Sequence, residues 1–217
     1  MNTNLSYSIV EAARLSDEIY DLTIPKTYVD EDIAVTRTMM VDHLGNPVQV
    51  YSCRGTTRDA RDWWLDFTSI PQLDFELGWI AQGFGAGTNL IWPLIYRDID
   101  PAIPAIFVGH SLGGVMAILL AAKAALRGLR IYHVCTFGAP RGGSRKLRTI
   151  LRPYAIDQFR YGNDPVPRVP WVPFLYYHQR AWQKIGIPLL DPFSCHHMAG
   201  YYAEVKRLNP VVSSPNP

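Results

Sequence analysis

The chain lacks several things, and each shortage removes a class of protein. No apolar run approaches the roughly 20 residues that a membrane-crossing helix needs. No basic, then apolar, then small-residue leader opens the sequence, so nothing in it reads as an ordinary secretion signal. A cytoplasmic location is the default expectation, with leaderless export or prior removal of a leader as alternatives. Cysteine is scarce: Cys53, Cys135 and Cys195 make an odd number and fall into no metal-ligand spacing. Cys53 and Cys135 sit inside apolar runs, where a thiol behaves as a small buried hydrophobe. Charge is thin, at 18% of the 217 residues, and nearly balanced at a formal +2. Arginine and lysine are spread along the chain, which gives no reason to expect a nucleic-acid partner. The densest basic stretch, Arg141 to Arg152, reads as a solvated face.

What is present is a globular composition, 48% hydrophobic, in a chain long enough to bury a core without covalent staples. One domain over residues 1–217 is the expectation. Residues 5–22 place Leu5, Ile9, Ala12, Ala13, Ser16 and Ile19 near one stripe, the period of an amphipathic helix; Pro25 blocks its continuation. From Ile33 two β-branched runs, IAVTRTMMV and VQVYSC, flank the turn HLGNP and predict a hairpin. Residues 54–100 mix aromatics with glycine and proline and read as helix fragments and loops, with 57–100 a candidate lid or rim. A strand over 105–109, a helix from Leu112 to near Arg127, a strand over 131–137 and a weaker strand over 155–161 follow. The last helix starts near His197, and the proline-containing tail 210–217 is expected to fray. Strand–helix–strand alternation with tight loops predicts a three-layer α/β sandwich, its central sheet mixed by the hairpin and otherwise mostly parallel.

The segment AIFVGHSLGG, residues 105–114, carries the first chemical signal. A Gly-X-Ser-X-Gly between an apolar strand and an Ala/Leu helix is a nucleophile elbow. Ser111 would take a strained backbone conformation that projects its hydroxyl, and Gly109 and Gly113 would stand where side chains collide with neighbouring helix and strand. The bland alternative is a glycine-rich turn without chemistry; the matching flanks favour the elbow. A serine hydroxyl near neutral pH needs a base, and that base needs an orienting carboxylate. Asp164, in RYGNDPVPRVP, follows a strand in a loop stiffened by Pro165 and Pro167, although Asn163-Asp164 could equally form an Asx-turn. Of six histidines, His43 and His133 look structural, His110 is too close in sequence to serve as base and is expected to pack or hydrogen-bond under the turn, and His178 could line a pocket. That leaves His196 and His197, ahead of the last helix, where a loop can carry an imidazole over the elbow. The order Ser, Asp, His agrees with that of α/β-hydrolases. A metal use of the histidine pair lacks an obvious third ligand. An oxyanion needs two donors: the N–H of Leu112, and a second from the loop after VQVYSC, where Thr56 follows Arg54-Gly55 unless RGTT only turns the chain.

These blocks together resemble the class 3 lipases, the fungal triacylglycerol lipase-like branch of the α/β-hydrolases. YSCRGTTRDARDWWLDF, FVGHSLGGVMA, VCTFGAPRGG, RYGNDPVPRVP and HHMAGYY match family blocks in order, over roughly residues 35–205. The resemblance implies an α/β-hydrolase fold, Ser111 as nucleophile, Asp164 as orienting acid, and Thr56 and Leu112 as oxyanion donors. His196 fits the family's His-x-Met-x-x-Tyr spacing through Met198 and Tyr201, whereas His197 fits only a looser spacing to Tyr202. Arg141 looks structural. The chain departs from the fungal members, which are longer, secreted, disulfide-bonded and lidded; it has Cys53 where they open the first block with Phe, and Gln82 where many carry His.

The activity implied is hydrolysis of acylglycerol or similar esters through an acyl-enzyme, without metal or organic cofactor and with no protein partner inferred. Trp63 and Trp64 are candidates for a lid or for contact with a lipid interface. Trp171, Phe174, Tyr176 and Tyr177 are candidates for the acyl pocket, against the alternative that they pack over the helix layer. Phospholipase, acyltransferase, amidase and thioesterase activities share the same machinery; a non-enzymatic module should lack one of serine, histidine or acid, and none is missing.

Overall fold

The computed structural model describes residues 6–21, 23–30, 33–55, 70–170, 172 and 175–209. Its frame is a seven-stranded sheet in the order β1-β2-β3-β6-β7-β8-β9. The strands are β1 (Tyr28–Asp30), β2 (Ile33–Val41), β3 (Pro47–Cys53), β6 (Ala105–His110), β7 (Ile131–Phe137), β8 (Ile156–Tyr161) and β9 (Gln183–Ile185). β1, β2 and β3 pair antiparallel, and β3, β6, β7, β8 and β9 run parallel. This is the mixed, mostly parallel sheet expected, with the hairpin HLGNP where the sequence places it. β1 and β9 were not legible: three residues each, they lack the length that shows a period.

The parallel strands are apolar on both faces because helices cover both. Along β6, Ile106 and Val108 pack with β3's Val48 and Val50, with Ala12, Ala13 and Leu15 of α1 (Ile9–Glu18) and with Met198, Tyr201 and Val205 of α5 (Met198–Leu208). Their neighbours Ala105 and Phe107 face the other way, toward α2 (Gln82–Asp98), α3 (Leu112–Leu126) and α4 (Arg145–Leu151). The core therefore lies in two layers, one on each side of the sheet. α3 is buried almost all round, from Gly113 to Ala124, as its unbroken apolar composition requires.

α1 is shorter than the period predicted. It starts after Ser8, whose hydroxyl accepts from the Glu11 N–H at 3.2 Å, and gives way at Ile19, before Pro25 is reached. The span 70–100 is more regular than its composition suggests: a two-stranded hairpin, β4 (Pro71–Asp74) with β5 (Gly78–Ala81), runs straight into α2. Gly85 and Gly87 lower helix propensity, yet a Cβ there would meet Ile80 at 2.7 Å and Ile33 at 2.5 Å. Close packing, which a propensity scale does not see, keeps them in the helix. The turn of this hairpin is held to α3 by Lys123 near Asp74 and Glu76 (3.9 and 3.6 Å) and by Arg127 with Glu76 at 2.8 Å. No helix among the described residues is long and apolar enough to cross a membrane. The three cysteines are free and buried.

Candidate active site

The site forms at the C-terminal ends of the parallel strands, where β6, β7 and β8 each deliver a loop. Ser111 follows β6 with φ 56° and ψ −129°, and is the one non-glycine residue of positive φ among those described. That conformation costs about 1–3 kcal/mol and persists only where the surroundings enforce it. They do so here: the Ser111 N–H donates to Phe137 O at 2.9 Å, and its carbonyl accepts from Gly114 and Val115 at the start of α3. The glycines behave as the spacing predicts. A Cβ at Gly109 would lie 2.4 Å from Gly113 O, and one at Gly113 would lie 2.1 Å from Cys53 O, so α3 can seat its first turn against the end of β3 only without side chains.

Downstream, β8 ends in a tight loop that carries Asp164, fully buried. Asp164 does make the Asx contact, since its Oδ1 accepts from the Val166 N–H at 2.9 Å. The same carboxylate also accepts, at Oδ2, from His196 Nδ1 at 2.8 Å and from the Tyr201 hydroxyl at 2.6 Å. The Asx contact thus leaves the second oxygen free to face the His196 ring. With an acceptor at Nδ1, the His196 proton sits there, and Nε2 presents its lone pair to Ser111 Oγ at 2.8 Å. His196 ends the short 3-10 turn Pro192–His196, opened by Asp191 accepting from the Phe193 N–H. His197 is exposed.

Two further residues hold this line in place: His110, expected under the turn, and Tyr20, which was not anticipated. His110, buried beneath the elbow, donates from Nε2 to His196 O at 2.7 Å, and its Nδ1 accepts from the Tyr20 hydroxyl at 3.2 Å. Tyr20 Oη in turn accepts from the Gly55 N–H at 3.2 Å. Burial, with the adjacent His196 adding to it, holds His110 well below the usual imidazole range, so the ring stays neutral and keeps this donor–acceptor pattern. The chain Gly55–Tyr20–His110–His196 ties the end of β3 to the histidine loop through the residues after α1. A tyrosine just beyond an amphipathic helix carries no local sign of that role. Gly138 completes the wall, at φ +59°; a Cβ there would sit 3.0 Å from Asp164 Oδ2 and 3.1 Å from the His196 ring.

Arg141, His178, Tyr176 and Tyr177, also singled out in the sequence, make their contacts elsewhere. Arg141 is structural: its guanidinium donates to Pro170 O at 2.9 Å and to Arg168 O, stitching down the chain beyond Asp164. His178 donates from Nε2 to Pro167 O at 2.6 Å, and burial lowers it to about 4. Tyr176 is buried in the core layer on the α3 side, and the Tyr177 N–H donates to Gly143 O at 2.8 Å. Leu112 opens α3 beside Ser111. Thr56, Trp63, Trp64, Trp171 and Phe174 fall outside the described residues, as does the rim segment 57–69.

A model of the family described as Lipase (class 3) matches residues 50–174, more than half of the sequence. The chain belongs to the class 3 lipase family. Among its relatives, a secreted mono- and diacylglycerol lipase of Fusarium solani is 29% identical over 143 residues, which is 59% of this chain and 41% of that one. A secreted mono- and diacylglycerol lipase of Penicillium camembertii is 28% identical over 166 residues, 70% of this chain and 53% of that one. The chain thus spans about half the length of the relatives it matches. Among solved structures, a mutant form of the MDLA protein of Penicillium cyclopium superposes with a TM-score of 0.62 at 21% identity, covering 88% of this chain and 94% of that one. A lipase of Rhizomucor miehei gives 0.59 at 19% identity, covering 82% and 67%. The likeness places the class 3 lipase chain in the α/β-hydrolase fold.

Proposed function

We propose that the protein is a serine ester hydrolase acting on acylglycerols or similar lipid esters. The observation that carries this reading is the unbroken line Ser111 Oγ–His196 Nε2 and His196 Nδ1–Asp164 Oδ2, each step 2.8 Å. His196 Nε2 takes the Ser111 proton as Oγ attacks the ester carbonyl, and Asp164 stabilises the imidazolium that forms. The oxyanion rests on the Leu112 N–H, at the positive end of α3, together with the Thr56 N–H. Thr56 is favoured over its neighbour because the Gly55 N–H is already taken by Tyr20. His196 then protonates the leaving alcohol, and water activated by the same imidazole cleaves the acyl-enzyme. Acylglycerols are the substrate class in view because the matched relatives are named as mono- and diacylglycerol lipases. Contact with a lipid interface through Trp63 and Trp64 belongs to the same reading, as does an acyl pocket that includes Trp171 and Phe174.

The test is hydrolysis of p-nitrophenyl esters of graded acyl length, followed by mono-, di- and triacylglycerol, with Ser111→Ala alongside. Turnover is expected in the parent and lower by roughly 10⁴-fold or more in the variant; equal rates in the two would end the assignment. His196→Ala should match Ser111→Ala, while His197→Ala should keep most of the parent rate. The reverse pattern would give the base to His197. A rise in rate as dispersed substrate passes its solubility limit is the expected sign of interfacial contact.

A further inference from the structure

The basic stretch that reads as a solvated face does more than meet solvent. One side of α4 carries Arg145, Arg148, Thr149 and Arg152 at i, i+3, i+4 and i+7, so all four lie on a single stripe. Arg180 stands opposite, from the chain that leads into β9, and together they line a cavity of about 400 Å³. Arg180 is fixed there: its N–H donates to Gln158 Oε1 at 2.8 Å, and its Nη2 donates to Arg152 O at 2.8 Å and Tyr154 O at 3.4 Å. Four arginines thus line one concavity with no carboxylate among its lining residues. None of the four makes an ion pair among the described residues, whereas Lys123 and Arg127, on the neighbouring helix, are both matched by acids of the β4–β5 hairpin. Like charges gathered this way repel one another until an anion enters.

We propose that this cavity binds a multiply charged, phosphate-bearing ligand. Guanidinium forks match phosphate oxygens two at a time, and the Thr149 hydroxyl on the same wall donates to Arg145 O at 3.0 Å, which leaves the arginines as the anion's donors. The volume lies at the lower end of the roughly 300–1,000 Å³ typical of small-molecule sites, enough for a small phosphorylated compound or a phosphorylated lipid headgroup. The site is separate from the ester-cleaving line. Ser111 and Asp164 follow the C-terminal ends of β6 and β8, while Arg152 and Arg180 precede the N-terminal ends of β8 and β9. A headgroup source has a local rationale: Lys146 of α4 donates to Phe75 O at 2.7 Å, and Phe75, Leu73 and Trp79 of the hairpin are exposed beside it.

Calorimetric titration of the full chain with inorganic pyrophosphate tests the proposal. Binding that weakens with added salt is expected, together with a loss of roughly tenfold or more in Arg148→Gln/Arg152→Gln. Both side chains are exposed, so the double variant should keep the parent's unfolding midpoint and its turnover of a soluble ester; Arg145→Gln provides a second variant of the same wall. No heat with the parent, or equal affinity in parent and variants, overturns the proposal. Co-sedimentation with phosphatidylcholine vesicles, with and without phosphatidic acid, identifies the source. Pelleting that needs phosphatidic acid and fails in the double variant assigns a lipid headgroup. Pyrophosphate binding without pelleting assigns a soluble phosphorylated compound.

Discussion

At the scale of single residues, Tyr201 shows how the proposed acid is held. Its hydroxyl, 2.6 Å from Asp164 Oδ2, is fully buried on α5, and burial together with the carboxylate's charge pushes its ionisation far above the usual phenol range. It therefore stays protonated and donates to the carboxylate. Tyr201→Phe should cost about 1–3 kcal/mol of stability, the range for a hydrogen bond to a charged group. It should also lower kcat about tenfold with little change in KM, because it loosens the group that orients His196. Steady-state kinetics on a soluble ester separate the two parameters, and a change confined to KM would contradict that role. Asp164→Asn should be far more severe, on the order of 10⁴-fold in kcat, since an amide no longer fixes the imidazole tautomer. Gly138→Ala should also impair turnover, through both its positive φ and the intrusion of a methyl on the Asp164–His196 pair. The Ser111 elbow and the Asp164 turn were legible because neighbours in sequence hold them, the start of α3 and a proline-braced loop. His110 was expected to pack or hydrogen-bond under the turn, but its partners His196 and Tyr20, 86 and 90 residues away, were not legible, since no local pattern announces them.

At the scale of elements, α3 is both the centre of the core and the platform of the elbow. Leu119, fully buried midway along it, packs among α2, α4 and the sheet. Leu119→Ala should destabilise the fold by about 2–5 kcal/mol, read from denaturant midpoints, while leaving kcat of the folded fraction near that of the parent. Gly113→Ala should behave in the opposite way. The added methyl would lie 2.1 Å from Cys53 O, so α3 must back away from the end of β3 and take Leu112 with it. A disproportionate fall in kcat is expected, beyond any loss of folded protein measured by circular dichroism; full activity in that variant would disprove the seating of the elbow against β3. The strands β2, β3, β6 and β7 and the helix α3 were plain in the sequence, because each is long and uniform enough to show its period. The hairpin β4–β5 and helix α2 were not, since glycine, proline and exposed aromatics mask the pattern there.

At the scale of the whole molecule, two neutral imidazoles, His110 buried and His178 half-buried, couple stability to pH. His110 is depressed by burial and by His196, and His178 is lowered to about 4, first by burial. For both, the folded value lies below the unfolded one, so between the two values the unfolded chain binds more protons. Their contribution is complete above the unfolded value of about 6.5 and is lost as pH falls toward the folded one. Denaturant unfolding across that window should show stability declining with acid, with a shallower decline in His178→Gln. Parallel slopes in parent and variant would mean that His178 takes no part.

Patterning alone determined the layered α/β plan, the elbow, the acid loop and the pair of candidate histidines, because each is written in a short stretch whose chemistry is local. Only the tertiary structure decided which histidine meets Ser111, that Tyr20 and His110 brace it, and that Arg180 closes a cationic cavity against α4. Those are meetings between segments far apart in sequence. Their free energy comes from burial and hydrogen-bond geometry, which arise only once the sheet has brought the segments together.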